Sequence, residues 1–83
     1  MKTTRYFNEQ VLRKRPYLTL DMCLTVLKSP LMTTVQLDGR IRHFGRVAST
    51  PHGDTKILRV VTLDDGETIH NAFFDRGYKE QDT

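Results

Sequence analysis

Five side chains of this sequence could together bind an anion and transfer a proton. Four are arginines and one is a histidine: Arg40, Arg42, Arg46, Arg59 and His70. Guanidinium groups bind phosphate through paired, charge-assisted hydrogen bonds. An imidazole with an ordinary pKa of about 6.5 can accept or release a proton. If these residues lie together, they could bind a phosphodiester and transfer a proton at it.

Three of the arginines lie in a segment with the two-residue period of a β-strand. One side of this strand carries Arg40, Arg42, Phe44 and Arg46, and the other carries Ile41, His43, Gly45 and Val47. The ring of Phe44 could stack on an unpaired base, so this side is a candidate substrate-binding surface. Alternatively, the arginines are the solvent side of an edge strand, where charge prevents aggregation.

Arg59 and His70 belong to a predicted hairpin over residues 56–76, with Asp65-Gly66 as a two-residue type I′ turn. This turn pairs Asp64 with Glu67, Val61 with His70 and Arg59 with Ala72. Arg59 and His70 then lie on the same face, roughly 7 Å apart at the backbone. They could share an anion site, or Arg59 could extend to a carboxylate such as Asp75. Both faces are largely apolar, which favours an interior pair of strands.

The remaining elements are predicted from caps and periodicity. A short helix begins at Asn8, with Phe7 as the apolar residue before the cap, and ends near Arg15. Thr19 caps a second helix, whose buried face contains Leu20, Cys23, Leu24 and Leu27. Four strands follow, over residues 33–37, 40–47, 57–63 and 68–74. Helices followed by strands predict an α+β fold, with two N-terminal helices on one face of a four-stranded antiparallel sheet.

Composition limits the class of protein. Residues 1–83 form one predicted domain, with residues 1–5 and 79–83 expected to be disordered. No apolar run is long enough for a membrane span, and no signal-peptide pattern opens the chain. The single cysteine, Cys23, favours a cytoplasmic location and a role as a core residue. Residues 1–46 carry a net charge of +6 and residues 47–83 carry −3, which favours a polyanionic partner such as RNA.

Metal or cofactor chemistry is not expected from these residues. His43, His52 and His70 are widely spaced, and no cysteine pair accompanies them. The sequence also lacks a glycine-rich phosphate-binding loop. We therefore expect neither a metal site nor a cofactor.

Three sequence elements resemble a family of small uncharacterised bacterial proteins. These elements are Gly-Arg at 39–40, Leu-Arg-Val-Val at 58–61 and His-Asn-Ala-Phe-x-Asp-Arg at 70–76. The resemblance extends over residues 20–78. The arrangement is also loosely similar to RelE-type ribonuclease toxins, which place N-terminal helices against a four-stranded antiparallel sheet. That similarity implies catalytic roles for Arg59 and His70, RNA binding by Arg40, Arg42 and Arg46, and an acidic antitoxin-like partner.

Two main hypotheses follow for function. The first is a toxin-like endoribonuclease that needs no metal, in which His70 transfers the proton and Arg59, with Arg40 or Arg42, stabilises charge on the phosphorus. The second is a non-catalytic module that binds RNA or a protein, in which the arginines matter and His70 is a packed strand residue. A third is an accessory subunit that pairs through a strand edge. The oligomeric state stays open.

Overall fold

The structure is a computed structural model, and it describes residues 2–48 and 55–75. The first helix, α1, is a π-helical turn over Phe7–Val11 continued by an α-helical turn over Leu12–Lys14, and α2 spans Leu20–Lys28. The strands are β1 (Met32–Val35), β2 (Ile41–Ala48), β3 (Thr55–Thr62) and β4 (Ile69–Phe74). They form an antiparallel sheet in the order β1-β2-β3-β4. The predicted α+β fold, with two N-terminal helices and a four-stranded sheet, is confirmed.

Local hydrogen bonds explain where the helices begin. Helical backbone already begins at Arg5 and Tyr6, before the π-helical turn, and the hydroxyl of Thr4 accepts a hydrogen bond from the Phe7 N–H (3.1 Å), so Thr4 caps this helical segment. The predicted cap at Asn8 is wrong, because the Asn8 amide donates to the Thr3 hydroxyl instead (2.9 Å). The cap predicted for α2 is confirmed: Thr19 accepts from the Met22 N–H (3.2 Å).

The core lies between the helices and one face of the sheet, which we call the inner face. Phe7 and Val11 of α1 and Cys23 and Val26 of α2 pack there against four sheet residues: Leu58, Val60, Ile69 and Ala72. Cys23 is fully buried, and burial raises the pKa of its thiol to about 12. A thiol that stays protonated at neutral pH is a poor nucleophile, so the structure supports the prediction that Cys23 is a core residue.

The described helices are also too short and too polar to cross a membrane.

The turns at Asp38-Gly39 and Asp65-Gly66 each contain one glycine with a positive φ, and neither has type I′ geometry. Gly39 (φ 89°) and Gly66 (φ 72°) are left-handed, and no other described residue has a positive φ. A type I′ turn at Asp65-Gly66 is therefore wrong, because it needs a positive φ at Asp65 as well. The Asp65 carboxylate instead accepts hydrogen bonds from the N–H groups of Glu67 (2.9 Å) and Thr68 (2.8 Å). These bonds stabilise a longer loop. The pKa of Asp65 is lowered to about 2, first by a hydrogen bond from the Thr68 hydroxyl and then by these two backbone hydrogen bonds.

A β-bulge in β4 changes the predicted register of the β3–β4 hairpin. Next to the turn, Thr62 opposes Ile69 as predicted. The ladder then shifts by one residue, so that Val61 opposes Asn71 and Arg59 opposes Phe73. The predicted pairs Val61 with His70 and Arg59 with Ala72 are therefore wrong, because His70 is the extra residue of the bulge.

The outer edge of β4 is partly covered by the start of the chain. Thr3 forms a parallel bridge with Ile69. The Ile69 N–H donates to the Lys2 carbonyl (2.9 Å), and the Thr4 N–H donates to the Ile69 carbonyl (2.9 Å). Residues 2–4, which we expected to be disordered, are thus hydrogen-bonded to the sheet. The hairpin is not an interior pair: β3 is interior, but β4 is the last of the described strands. The predicted disorder of 79–83 falls outside the described residues.

Gly45 allows α2 to approach β2 closely. A Cβ atom at this position would lie 2.9 Å and 3.1 Å from the two Val26 methyl carbons and 3.2 Å from the Val26 Cα. These distances are shorter than ordinary van der Waals contact, so only glycine lets the helix pack at this depth.

We therefore predict that Gly45→Ala lowers the free energy of unfolding by roughly 1–3 kcal/mol, because the added methyl group overpacks the core. Val26→Ala removes both clashing methyl groups, so the double variant should lose less stability than the sum of the two single variants. Urea unfolding of the four proteins measures this coupling. Additive losses, within about 0.5 kcal/mol, would contradict the proposed contact.

Candidate nucleic-acid interface

The predicted arginines of β2 and β3 share the face opposite the helices, which we call the outer face. It is formed by the alternate residues of three strands: Arg42, Phe44, Arg46, Ile57, Arg59, Val61, Asn71 and Phe73. Phe44 opposes Arg59, and directly paired residues share a face, so the two groups of arginines coincide. The alternative that the β2 arginines lie on an edge strand is wrong, because β2 lies between β1 and β3.

Arg59 is the centre of a cross-strand row on the outer face. Its guanidinium carbon lies 5.3 Å from the centroid of the Phe44 ring and 4.8 Å from that of Phe73. These are cation–π distances, and the two rings flank Arg59 on the neighbouring strands. Phe44 is only 5% exposed to solvent. The row therefore covers apolar area that the helices do not reach.

Asp75 fixes the orientation of Arg59. Its carboxylate accepts a hydrogen bond from Arg59 Nε (3.1 Å) and a second, shorter one from Nη2. The Asp75 N–H also donates to the Ile57 carbonyl (2.9 Å), which extends the β3–β4 ladder. Of the two interpretations of Arg59, the structure supports the ion pair with Asp75. A guanidinium held in this way is rigid and planar, but much of its charge is neutralised.

Arg42 and Arg46 lie on either side of the Phe44–Arg59–Phe73 row. Arg46 is exposed, and Arg42 is partly buried. With its amide oriented to satisfy both neighbours, Gln36 accepts a hydrogen bond from Arg42 Nε (2.6 Å) and donates to Asp38 (3.2 Å). At the β4 end of the row, the Arg15 guanidinium lies 6.0 Å from the Phe73 ring centroid. The outer face therefore combines several guanidinium groups with aromatic rings.

Arg40 and His70 are the two predicted site residues that the structure places elsewhere. Arg40 precedes β2 in the turn after β1, where its Nη1 lies 3.8 Å from the Asp38 carboxylate. His70 lies in the bulge, where its ring stacks on Tyr6 at 5.0 Å and Nδ1 is hydrogen-bonded to the Thr4 hydroxyl (3.0 Å). Arg59 opposes Phe73, and Phe73 is three residues from His70 along β4. The backbones of Arg59 and His70 are therefore roughly 10 Å apart along the strand direction.

The environment of His70 favours its neutral form. Desolvation is the largest cause that lowers the pKa of His70, and the positive charge of Arg40 lowers it further. The negative charge of Asp38 opposes this shift. The charge of Arg40 therefore disfavours protonation of His70. The residues of the predicted site divide into an outer-face group and a smaller Arg40–His70 group at the turn end of the sheet.

Sequence reasoning missed three contributors: Phe73, Arg15 and Thr4. The predicted pairing of Arg59 with Ala72 places Phe73 on the opposite face from Arg59, because a bulge has no sequence signal in a single chain. Arg15 enters the predictions only as the end of the first helix. Thr4 is 66 residues from His70, and nothing in the sequence indicates a contact over that separation.

His43 is buried on the inner side of β2, where Nε2 is hydrogen-bonded to the Thr62 hydroxyl (2.9 Å). Burial lowers the pKa of this histidine. His52 lies outside the described residues. Within residues 2–48 and 55–75, no three histidine, cysteine or acidic side chains are grouped to hold a metal ion.

Comparisons of this chain with protein-family models, with curated proteins and with solved structures give no match.

The lowered pKa values of His43 and His70 predict how stability depends on pH. The unfolded chain, with histidine pKa values near 6.5, binds more protons than the folded chain as pH falls through that value. The free energy of unfolding should therefore decrease between about pH 7.5 and about pH 5.5. Below the folded pKa values, the histidine contribution should level off. Urea unfolding at stepped pH measures this dependence.

His43→Gln and His70→Gln should each reduce the pH dependence of the free energy of unfolding, because each removes one titrating group. Asp65 contributes little in this range, because its pKa is about 2 in the folded protein and about 3.9 in the unfolded chain, both well below pH 5.5. A free energy that rises on acidification, or a slope unchanged in both variants, would contradict the assignment.

Proposed function

We propose that this protein binds single-stranded RNA on the outer face of its sheet. The observation that carries the proposal is the shared face of Arg42, Arg46 and Arg59, next to the ring of Phe73. Proteins that bind single strands combine a positive surface, which contacts phosphates, with planar groups on which bases stack. The non-catalytic hypothesis is favoured over catalysis by Arg59, because Arg59 pairs with Asp75 and is distant from His70.

Each part of the outer face has a separate role in this proposal. Arg42 and Arg46 contact phosphates, since Arg59 is largely neutralised by its carboxylate partner. The fixed guanidinium plane of Arg59 and the half-buried Phe73 ring are the stacking surface. Phe44 was the predicted stacking ring, but at 5% exposure it offers little surface to a base. We therefore assign Phe44 to the support of Arg59.

The first test measures binding of a fluorescein-labelled single-stranded RNA 12-mer by fluorescence anisotropy at several salt concentrations. Replacing two phosphate contacts, in Arg42→Gln/Arg46→Gln, should weaken binding roughly tenfold at low salt. The slope of log affinity against log salt should become shallower by about 1.4, or about 0.7 per contact on a single strand.

The matched control is Arg5→Gln/Arg13→Gln, which removes the same charge from exposed positions of the helical layer. It should change affinity far less than the outer-face double variant. Equal losses in the two double variants would show that binding depends on net charge alone. No detectable binding by the wild-type protein at low salt would overturn the proposal.

The toxin-like endoribonuclease is a second candidate, and the environment of His70 favours it. A neutral imidazole held by Thr4, with Arg40 nearby, suits a general base that accepts a proton from a 2′-hydroxyl. In this case Arg40, rather than Arg59, stabilises the charge that develops on the phosphate. The acidic antitoxin-like partner belongs to this candidate and stays a prediction.

Induced expression separates the two candidates. If the protein is a ribonuclease, the wild type should arrest growth and produce new RNA ends in primer extension. His70→Asn should lose both effects, because asparagine can accept a hydrogen bond but cannot transfer the proton. Arg42→Gln/Arg46→Gln, which leaves the Arg40–His70 group intact, should retain some cleavage. Normal growth with intact RNA would exclude the ribonuclease and leave the binding function.

A further inference from the structure

The two edges of the sheet are protected to different degrees. At β4, residues 2–4 hydrogen-bond to the edge, and the bulge at His70 interrupts its regular ladder. Both features are known ways of preventing a sheet edge from pairing with another chain. In β1, the register with β2 is regular from Met32 to Val35, and no described strand lies beyond it.

The sequence of the β1 edge has none of the usual protective residues. Residues 31–37, LMTTVQL, contain no charge and no proline. All four large apolar side chains in this stretch are exposed: Leu31, Met32, Val35 and Leu37. Val35 faces the inner side, opposite Ile41, yet it is 74% exposed. The helices therefore leave this end of the inner face uncovered.

The hydrogen-bond pattern shows which backbone groups of β1 remain available. The Gln36 N–H donates to the Arg40 carbonyl (2.7 Å), and bonds in an antiparallel ladder recur at every second residue. The groups of Met32 and Thr34 therefore point to β2, whereas the N–H and C=O of Thr33 and Val35 point away from the sheet. An antiparallel partner strand would satisfy these four groups.

We infer that the β1 edge pairs with β1 of a second copy of this chain, antiparallel about a two-fold axis at Thr34. In this register Thr33 of one copy opposes Val35 of the other, and their outward backbone groups form hydrogen-bonded pairs. The exposed side chains of Leu31 and Leu37 flank this segment. A second copy fits because the segment contains no charged residue, so two identical edges meet without like-charge repulsion.

Thr34 supplies a further reason for this axis. Its hydroxyl oxygen is buried and has no hydrogen-bond partner in the described part of the chain. A buried hydroxyl without a partner is destabilising. On the two-fold axis, Thr34 would oppose Thr34 of the second copy, and rotation about χ1 would let the two hydroxyls hydrogen-bond to each other.

Sedimentation equilibrium tests the dimer. The wild type should reach twice the monomer mass, and Val35→Lys should raise the dimer dissociation constant at least about tenfold, because it places charge on the edge. Since Val35 is 74% exposed in the monomer, the substitution should leave its fold intact, which circular dichroism checks. Gln10→Lys adds the same charge at an exposed position of α1 and should have no effect. A wild type that stays monomeric, or a dimer that Val35→Lys does not weaken, would overturn the inference.

Disulfide trapping tests the register. Residues that face each other in a non-hydrogen-bonded pair have Cα atoms about 4.5 Å apart, within the range of a disulfide. Thr34→Cys should therefore form a covalent dimer with oxidised glutathione. Thr33→Cys should not, because the two copies of residue 33 would be roughly 8 Å apart. The wild type is the control for Cys23, which is buried. Crosslinking of residue 33 instead of residue 34 would contradict the proposed axis.

Discussion

The Arg59 side chain connects three strands on the face of the sheet that the helices do not cover. Its guanidinium lies between Phe44 of β2 and Phe73 of β4, and Asp75 holds it in place. Both described helices pack on the inner face, so the aromatic residues of the outer face need another cover. A planar cation that stacks on rings and also pairs with a carboxylate meets this need better than a lysine would. The same contacts present a fixed basic and aromatic surface.

One extra residue in β4 determines which residues can act together. Without the bulge, Arg59 would lie diagonal to His70. With it, Arg59 meets Phe73, and His70 meets Thr4 and Tyr6 of the N-terminal segment. The bulge therefore separates the basic and aromatic outer face from a titratable group. This separation is the physical reason that binding on the outer face is better supported than catalysis by the predicted pair.

The two edges of the sheet differ in how far the chain covers them. The chain covers part of one edge with its own N-terminal segment and leaves the other edge regular and uncharged, with exposed apolar side chains. Pairing through that edge would join two sheets side by side, and it would extend the outer face without covering it. RNA binding and self-association would therefore use different surfaces of the same sheet.

The sequence by itself determined the order of the elements, the fold class and the alternation of faces in β2. These follow from local chemistry: the Thr19 cap, the apolar spacing of α2, the glycines of the turns and the two-residue period around Phe44. Only the tertiary structure decided the register beyond the bulge, the contact of His70 with Thr4, and the pairing of Arg59 with Asp75 among its possible partners. These features depend on contacts between residues distant in sequence, and a shift of one residue reverses which face a side chain occupies. A local sequence pattern does not indicate that shift.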